Sequence, residues 1–153
     1  MIEKIAVFPG SFSPFTLGHQ YVINRALPLF DKIIIAVGSN SSKEYYFSEE
    51  QRLEWIENIF KHEAKVEIRT YQGLTVNFCK SIGANFILRG LRNAKDFNYE
   101  KEIAQVNQTL NKEIETIFII TSPEYSHISS TLVREVAKNN GDISKFVPKG
   151  IKL

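Results

Sequence analysis

A single cysteine, Cys79, leaves this 153-residue chain without an intrachain disulfide, and its Asn77-Phe78-Cys79-Lys80 setting has neither metal-binding nor redox spacing. A reducing, cytoplasmic compartment is therefore expected. Glycine and proline are also sparse, at 8 and 5 residues, which excludes collagen-like and low-complexity chains. Charge of either sign nearly cancels: 19 Lys and Arg against 17 Asp and Glu leave +2. That is too little for generic adhesion to nucleic acid, so no nucleic-acid partner is expected and basicity has to be sought locally. No apolar run approaches the ~18 residues of a membrane span, and no basic, apolar and small-residue sequence of a signal peptide precedes the run at Ile5, so neither membrane anchoring nor targeting is expected. What remains, 43% hydrophobic and 24% charged, is the composition of one globular domain, expected over 1–153 and long enough to bury a core unaided.

Hydrophobic period divides the chain into alternating strands and helices. Lys4 to Phe8 is a short apolar run stopped by Pro9-Gly10, and Gly18 to Phe30 carries Val22, Ile23, Ala26, Leu27 and Phe30 at helical spacing, with Pro28 disturbing its end. Lys32 to Val37 is an almost continuous Ile-rich run, as expected for a strand buried on both faces. Ser48 with Gln51 forms a capping box opening a helix with Leu53, Ile56 and Phe60 on one stripe, and a strand alternates through Val66, Ile68 and Thr70. Leu74, Phe78 and Ile82 mark a third helix, Asn85 to Leu88 a strand ending at Arg89, and Tyr99, Ile103, Val106 and Leu110 a fourth helix. Glu115 to Ile120 is a fifth strand, and Leu132, Val133, Val136 and Ala137 stripe a fifth helix. Five strands joined by connections too long for hairpins predict a doubly wound parallel sheet with helices on both faces.

Such sheets bind ligands beyond the carboxyl ends of their strands, and the unusual residues fall there. Gly10 allows close backbone approach, and Gly18-His19 opens a helix whose free N–H groups favour phosphate. The loop matches neither a G-x-G-x-x-G nor a P-loop pattern. Arg89 and Arg92 suit bidentate capture of phosphate, although surface pairing with Asp96 and Glu100 explains them equally well. Ser129, Ser130 and Thr131 stand where a helix begins, as ordinary caps or as a wrap for triphosphate oxygens.

TLGH at 16–19 and ISSTLVR at 128–134, with LRGLRNAKDFNYE at 88–100 and SPEYSHISST at 122–131, resemble the paired signature of the nucleotidyltransferase superfamily, and within it the bacterial phosphopantetheine adenylyltransferases. The resemblance runs from Val7 to about Pro148 and implies a single-domain Rossmann-like fold. It implies adenylyl transfer from ATP to 4′-phosphopantetheine, giving 3′-dephospho-coenzyme A and pyrophosphate by in-line attack, with Mg²⁺ held mainly by ATP and water, in a homohexamer subject to coenzyme A feedback. By the same resemblance His19, Lys43 and Arg92 are catalytic. Ser11, Phe12, His19, Gly90, Leu91, Arg92, Glu100 and the run Tyr125, Ser126, His127, Ile128, Ser129, Ser130 and Thr131 would bind ATP. Ser11, Lys43, Thr75 and Arg89 would bind the acceptor. Ser13 and the Glu44-Tyr45-Tyr46 segment depart from the pattern, which more often has an acidic residue at the first place and a second Lys and a Pro in the second. Three alternatives stay open at this level: a sister transferase acting on nicotinamide or nicotinate mononucleotide or on glycerol phosphate, a nucleotide sensor without turnover, and, least supported, a nucleic-acid-binding module.

Overall fold

Ile33, Ile34, Ile35, Ala36 and Val37 are each at most 2% exposed. They belong to β2 (Lys32–Gly38), which has a parallel strand on either side and apolar clusters above and below, so every residue must be apolar whichever way it points. The computed structural model, which describes residues 1–40, 42 and 45–153, places β2 in a sheet with β1 (Ile5–Gly10), β3 (Val66–Tyr71), β4 (Phe86–Leu91) and β5 (Glu115–Ile120). The order is β3-β2-β1-β4-β5 and every pairing is parallel. This is the doubly wound α/β sheet that the alternation predicts.

Side-chain alternation assigns the helices to faces. Ala6, Phe8, Ile33, Ile35 and Leu88 share one cluster with residues of α1 (Leu17–Ala26), α2 (Glu49–Phe60) and α5 (Ser130–Lys138). Val7, Ala36 and Ile87 point the other way, against Val76 and Cys79 of α3 (Thr75–Ser81). Arg89 lies two residues beyond Ile87 on that second face, where it meets Glu100 of α4 (Ala94–Leu110). Cys79 is core, and burial pushes its thiol up to about 11.

Caps and corrections accompany the element boundaries. Ser48 and Gln51 form the expected capping box, and the helix disturbed by Pro28 ends as a 3₁₀ turn at Leu27–Leu29. β4 continues through Arg89 and Gly90 to Leu91, past the expected stop, because these residues pair with Phe118, Ile119 and Ile120 of β5. Helix α4 begins at Ala94, capped by the Asn93 side chain, five residues before its first stripe residue Tyr99.

The ladder between β1 and β4 decides where a ligand can enter. β1 pairs with β2 over six positions but with β4 only at Ala6–Phe86 and Val7–Ile87. Beyond those pairs the two strands part, at the place where the winding of the sheet reverses, and a cleft opens over their carboxyl ends. On its floor, Gly90 passes so close to α1 that a Cβ there would lie 2.7 Å from Val22 Cγ2. Gly90→Ala is expected to cost about 1–3 kcal/mol of stability through overpacking, read as a lowered urea midpoint at unchanged slope. An unchanged midpoint would mean that Val22 turns aside freely.

Candidate active site

The end of β1 and the first loop that follows it are held from behind by their carbonyl oxygens. Arg89 Nη1 donates to the carbonyl of Pro9. Arg52 Nη1 donates to Ser11 O at 2.6 Å, Arg134 Nη1 to Ser13 O at 2.6 Å and Ser130 Oγ to Pro14 O at 2.8 Å. Four acceptors that would repel a phosphate are thereby occupied by donors from β4, α2 and α5. Between them Phe12 adopts a φ of +49°, an unfavourable conformation for a bulky residue. Burial of its ring offsets that strain: the centroid is 5.4 Å from both Phe8 and Phe15 and 5.1 Å from His19. Gly10 leaves room for the same ring, since a Cβ there would be 2.9 Å from Phe12 Cζ.

His19 sits in the first turn of α1, and the local sequence sets its proton. The Thr16 N–H donates to His19 Nδ1 at 3.0 Å while the Thr16 hydroxyl accepts from the His19 N–H at 3.3 Å, a capping box with histidine in the reciprocal place. With Nδ1 accepting, the neutral ring carries its proton on Nε2, on the opposite side from Thr16. Burial, and then the guanidinium groups of Arg89 and Arg92, hold the imidazole down at about 3. At neutral pH His19 is therefore an uncharged donor.

Around it lies a cavity of about 380 Å³. Of the residues proposed from sequence, Ser11, Phe12, His19, Arg89, Gly90, Arg92, Glu100, Ile128, Ser129, Ser130 and Thr131 line it together. The N-termini of α1 and α5 both reach this space, and neither has an acidic residue in its first turn, so two positive dipole ends share one cavity. Ser129 caps α5, Ser130 is tied to Pro14, and the Thr131 hydroxyl accepts from Arg134 at 3.3 Å. The three hydroxyls are structural in this state; the Ser129 cap takes the Leu132 N–H, which leaves the N–H groups of Ser130 and Thr131 for an anion.

The arginines have the partners that the plainer alternative foresaw. Arg89 grips Glu100 in bidentate fashion at 2.9 and 2.6 Å, and Arg92 grips Asp96 at 2.9 and 3.1 Å. Both pairs nevertheless face the cavity, and Arg92 Nη1 reaches the Ile128 carbonyl at 3.4 Å, joining the β4 loop to the β5 loop.

A second cavity, about 180 Å³, adjoins the first and shares Pro9, Gly10, Arg89 and Glu100 with it. Thr75 lines it with Tyr71, Ile103, Ala104 and Asn107, and Tyr71 Oη lies 3.0 Å from Thr75 Oγ1. Leu91, Tyr125, Ser126 and His127 line neither cavity: Leu91 is buried, the Tyr125 ring packs tilted against Tyr21 and the Ser126 hydroxyl donates to Pro123 O. Lys43 lies outside the described residues. Sequence reasoning missed Ser13, Asp96, Thr121 and Arg134 in the larger cavity and Asn107 in the smaller. Arg134 could have been found, because it stands three residues after Thr131 on α5. Among the described residues no three His, Cys, Asp or Glu side chains group as a metal cage, and no helix is long and apolar enough to cross a membrane.

Comparison with known proteins places these features in context. Residues 7–136 match the family model described as cytidylyltransferase-like. The chain is 53% identical over 148 residues to a phosphopantetheine adenylyltransferase of Flavobacterium psychrophilum, covering 97% of each chain. It is 53% identical to that of Christiangramia forsetii, covering 97% of this chain and 98% of the relative, and 46% identical to that of Bacteroides thetaiotaomicron, covering 97% of each. Among solved structures it resembles a Vibrio parahaemolyticus protein assigned as a nicotinate-nucleotide adenylyltransferase, with a TM-score of 0.71 at 18% identity over 95% of this chain and 87% of the other, a likeness of fold.

The state of His19 can be tested directly. In ¹⁵N-detected NMR of the ligand-free protein, His19 is expected to stay in the Nε2–H form down to pH 5. Because its folded value of about 3 lies below the ordinary 6.5, the unfolded chain gains a proton first. Its contribution to stability is complete above about 6.5 and is lost progressively as pH falls toward 3. Titration near 6.5 would refute the buried neutral ring.

Proposed function

This chain belongs to the phosphopantetheine adenylyltransferase family of cytidylyltransferase-like proteins, and from that membership we propose that it transfers the adenylyl group of ATP to 4′-phosphopantetheine in coenzyme A biosynthesis. The observation that carries the reading to this chain is the pair of cavities meeting at Pro9, Gly10, Arg89 and Glu100. The larger, with two helix N-termini, His19 and Arg92, suits the triphosphate. The smaller, lined by Thr75, Ile87, Ile103, Ala104 and Asn107, mixes apolar walls with an amide and a hydroxyl and suits the amide-bearing pantetheine arm.

In this reading an oxygen of the acceptor phosphate forms a bond to the α-phosphorus of ATP while the bond from that phosphorus to the bridging β-phosphate oxygen breaks. Pyrophosphate leaves with the electron pair, giving 3′-dephospho-coenzyme A. No covalent enzyme intermediate is needed, so the chain's task is alignment and stabilisation of charge. His19 donates from Nε2 to an α-phosphate oxygen, the amides of the first loop and of α5 cradle the phosphates, and Lys43 takes the acceptor phosphate. Ser11 and Phe12 lie between the substrates, Gly90, Glu100 and Ile128 to Thr131 bound the nucleotide, and Thr75 and Arg89 bound the acceptor, while Leu91, Tyr125, Ser126 and His127, which line neither cavity, take no part. Mg²⁺, where bound, would be held by ATP oxygens and water, since Asp96 and Glu100 are already engaged by arginines. Its positive charge offsets that of the phosphates.

Self-association as a homohexamer belongs to the same reading. Tyr99, Val106 and Leu110 on α4 and Ile120 on the edge strand β5 are each more than half exposed, an apolar face suited to a second copy of the chain. Coenzyme A, which retains both pantetheine and adenylate portions, would compete for the two cavities. The ATP that the reaction consumes sets it in the cytoplasm, and neither membrane nor nucleic acid takes part.

Pyrophosphate release from ATP and Mg²⁺ is expected with 4′-phosphopantetheine and not with nicotinamide mononucleotide, glycerol phosphate with CTP, or no acceptor. Release only with another acceptor would overturn the pantetheine reading, and tight ATP binding without any release would favour a sensor. His19→Ala is expected to lower kcat about 10²–10³-fold, the scale for a lost transition-state donor, with little change in ATP binding. Arg89→Ala is expected to raise the KM of the acceptor more than that of ATP, and the reverse would exchange the two cavities.

A further inference from the structure

Arg52 is a cation in a place that stability alone does not explain. Its residue is 1% exposed, yet among the described residues no carboxylate lies within ion-pair distance of it. Nη1 donates to Ser11 O at 2.6 Å, while Nε is buried with no hydrogen-bond partner among the described residues. The ring of Tyr45 covers the guanidinium at 4.2 Å from Cζ to the centroid. Burial lowers the guanidinium from its ordinary value, with Tyr45 and Glu49 opposing the shift, but an arginine remains charged. A buried cation whose hydrogen bonds are incomplete is weak evidence for stabilisation, since well-packed apolar residues of similar volume do as well or better. Its position points elsewhere. Arg52 lies in the first helical turns of α2, outside both cavities, and touches the first loop at Ser11 and the segment between β2 and α2 at Tyr45.

We propose that Arg52 is a positioning residue for adenylyl transfer, with its guanidinium holding the Ser11 carbonyl away from the phosphates and seating the Tyr45 ring beside the first loop. This rests on the function proposed above. The pull on Ser11 O orients the peptide leading into Phe12, whose positive φ turns the loop, and so fixes which groups of Ser11 and Phe12 face the larger cavity. Neither Arg52 nor Tyr45 needs to touch a substrate.

The test compares Arg52→Met, Arg52→Lys, Tyr45→Phe and Tyr45→Ala with the parent protein, measuring Tm together with kcat and KM for each substrate. Arg52→Met is expected to keep or raise Tm while kcat falls about 10–100-fold, the scale of a small misplacement of reacting groups. Arg52→Lys, which can still reach the Ser11 carbonyl, is expected to recover part of kcat. Tyr45→Ala is expected to raise the acceptor KM and Tyr45→Phe, which keeps the ring, to raise it less, and the Ala and Met changes are expected to be non-additive. Unchanged kcat and KM in Arg52→Met would overturn the proposal, as would a Tm loss in Arg52→Met and Arg52→Lys alike with activity lost only in proportion. Should Arg52→Met not fold, Arg52→Lys and Tyr45→Ala carry the same decision. If the parent protein turns over only a different phosphorylated acceptor, the acceptor reading fails, while the ratios of variant to parent on that acceptor still decide the role of Arg52.

Discussion

Everything in the cleft depends on how the carbonyl oxygens of the first loop are restrained. A loop that must receive a polyanion has to present N–H groups and turn its acceptors away. Here the acceptors of Pro9, Ser11, Ser13 and Pro14 are each bonded from behind by Arg89, Arg52, Arg134 and Ser130. Three of these donors are guanidinium groups, so the bonds that shape the loop also raise the local positive potential. A net charge of +2 for the whole chain hides this concentration. The donors come from three separate elements, β4, α2 and α5, and the loop therefore acquires its shape only when the sheet and helices have assembled.

Concentrating cations has consequences for the other ionisable groups. Glu100 and Asp96 compensate Arg89 and Arg92 in the ligand-free state, and Arg89 directs all three of its guanidinium nitrogens to Glu100 or Pro9. A phosphate that approached Arg89 directly would have to displace Glu100, so the simplest contribution of the pair to substrate binding is to define the wall between the two cavities.

How much of this was legible in the sequence depended on whether the signal was local. The Ser48–Gln51 capping box and β5 at Glu115–Ile120 emerged as read, because both are written in consecutive residues. β4 was cut short at Arg89 because pairing with β5, a tertiary event, draws Arg89 and Gly90 into the strand. The stripe Tyr99, Ile103, Val106 and Leu110 located α4 correctly, but period alone tells which residues share a face and not what covers it, and Tyr99, Val106 and Leu110 are exposed. The motif residues of the larger cavity could be read from their resemblance to known proteins. Arg52 could not, since Ser48-Glu49-Glu50-Gln51-Arg52 looks like an exposed first turn, and of these residues Arg52 alone is buried, bonded to the first loop at Ser11.

The restrained loop also accounts for the neutrality of His19. Phe8, Phe12 and Phe15 surround the imidazole at 5.1 to 6.0 Å, and the guanidinium groups that organise the cleft oppose a further positive charge on it. Thr16 occupies Nδ1, so the ring retains one donor and one orientation. An uncharged donor with a pKa of about 3 for its second proton has nothing to give up at neutral pH except a hydrogen bond. General acid catalysis by an imidazolium is therefore disfavoured, and the ring's contribution grows only as negative charge accumulates on the oxygen it faces, in the transition state more than in the bound substrate. Burial among the phenylalanines, and then the guanidinium groups of Arg89 and Arg92, thus decide the kind of catalysis the histidine can perform.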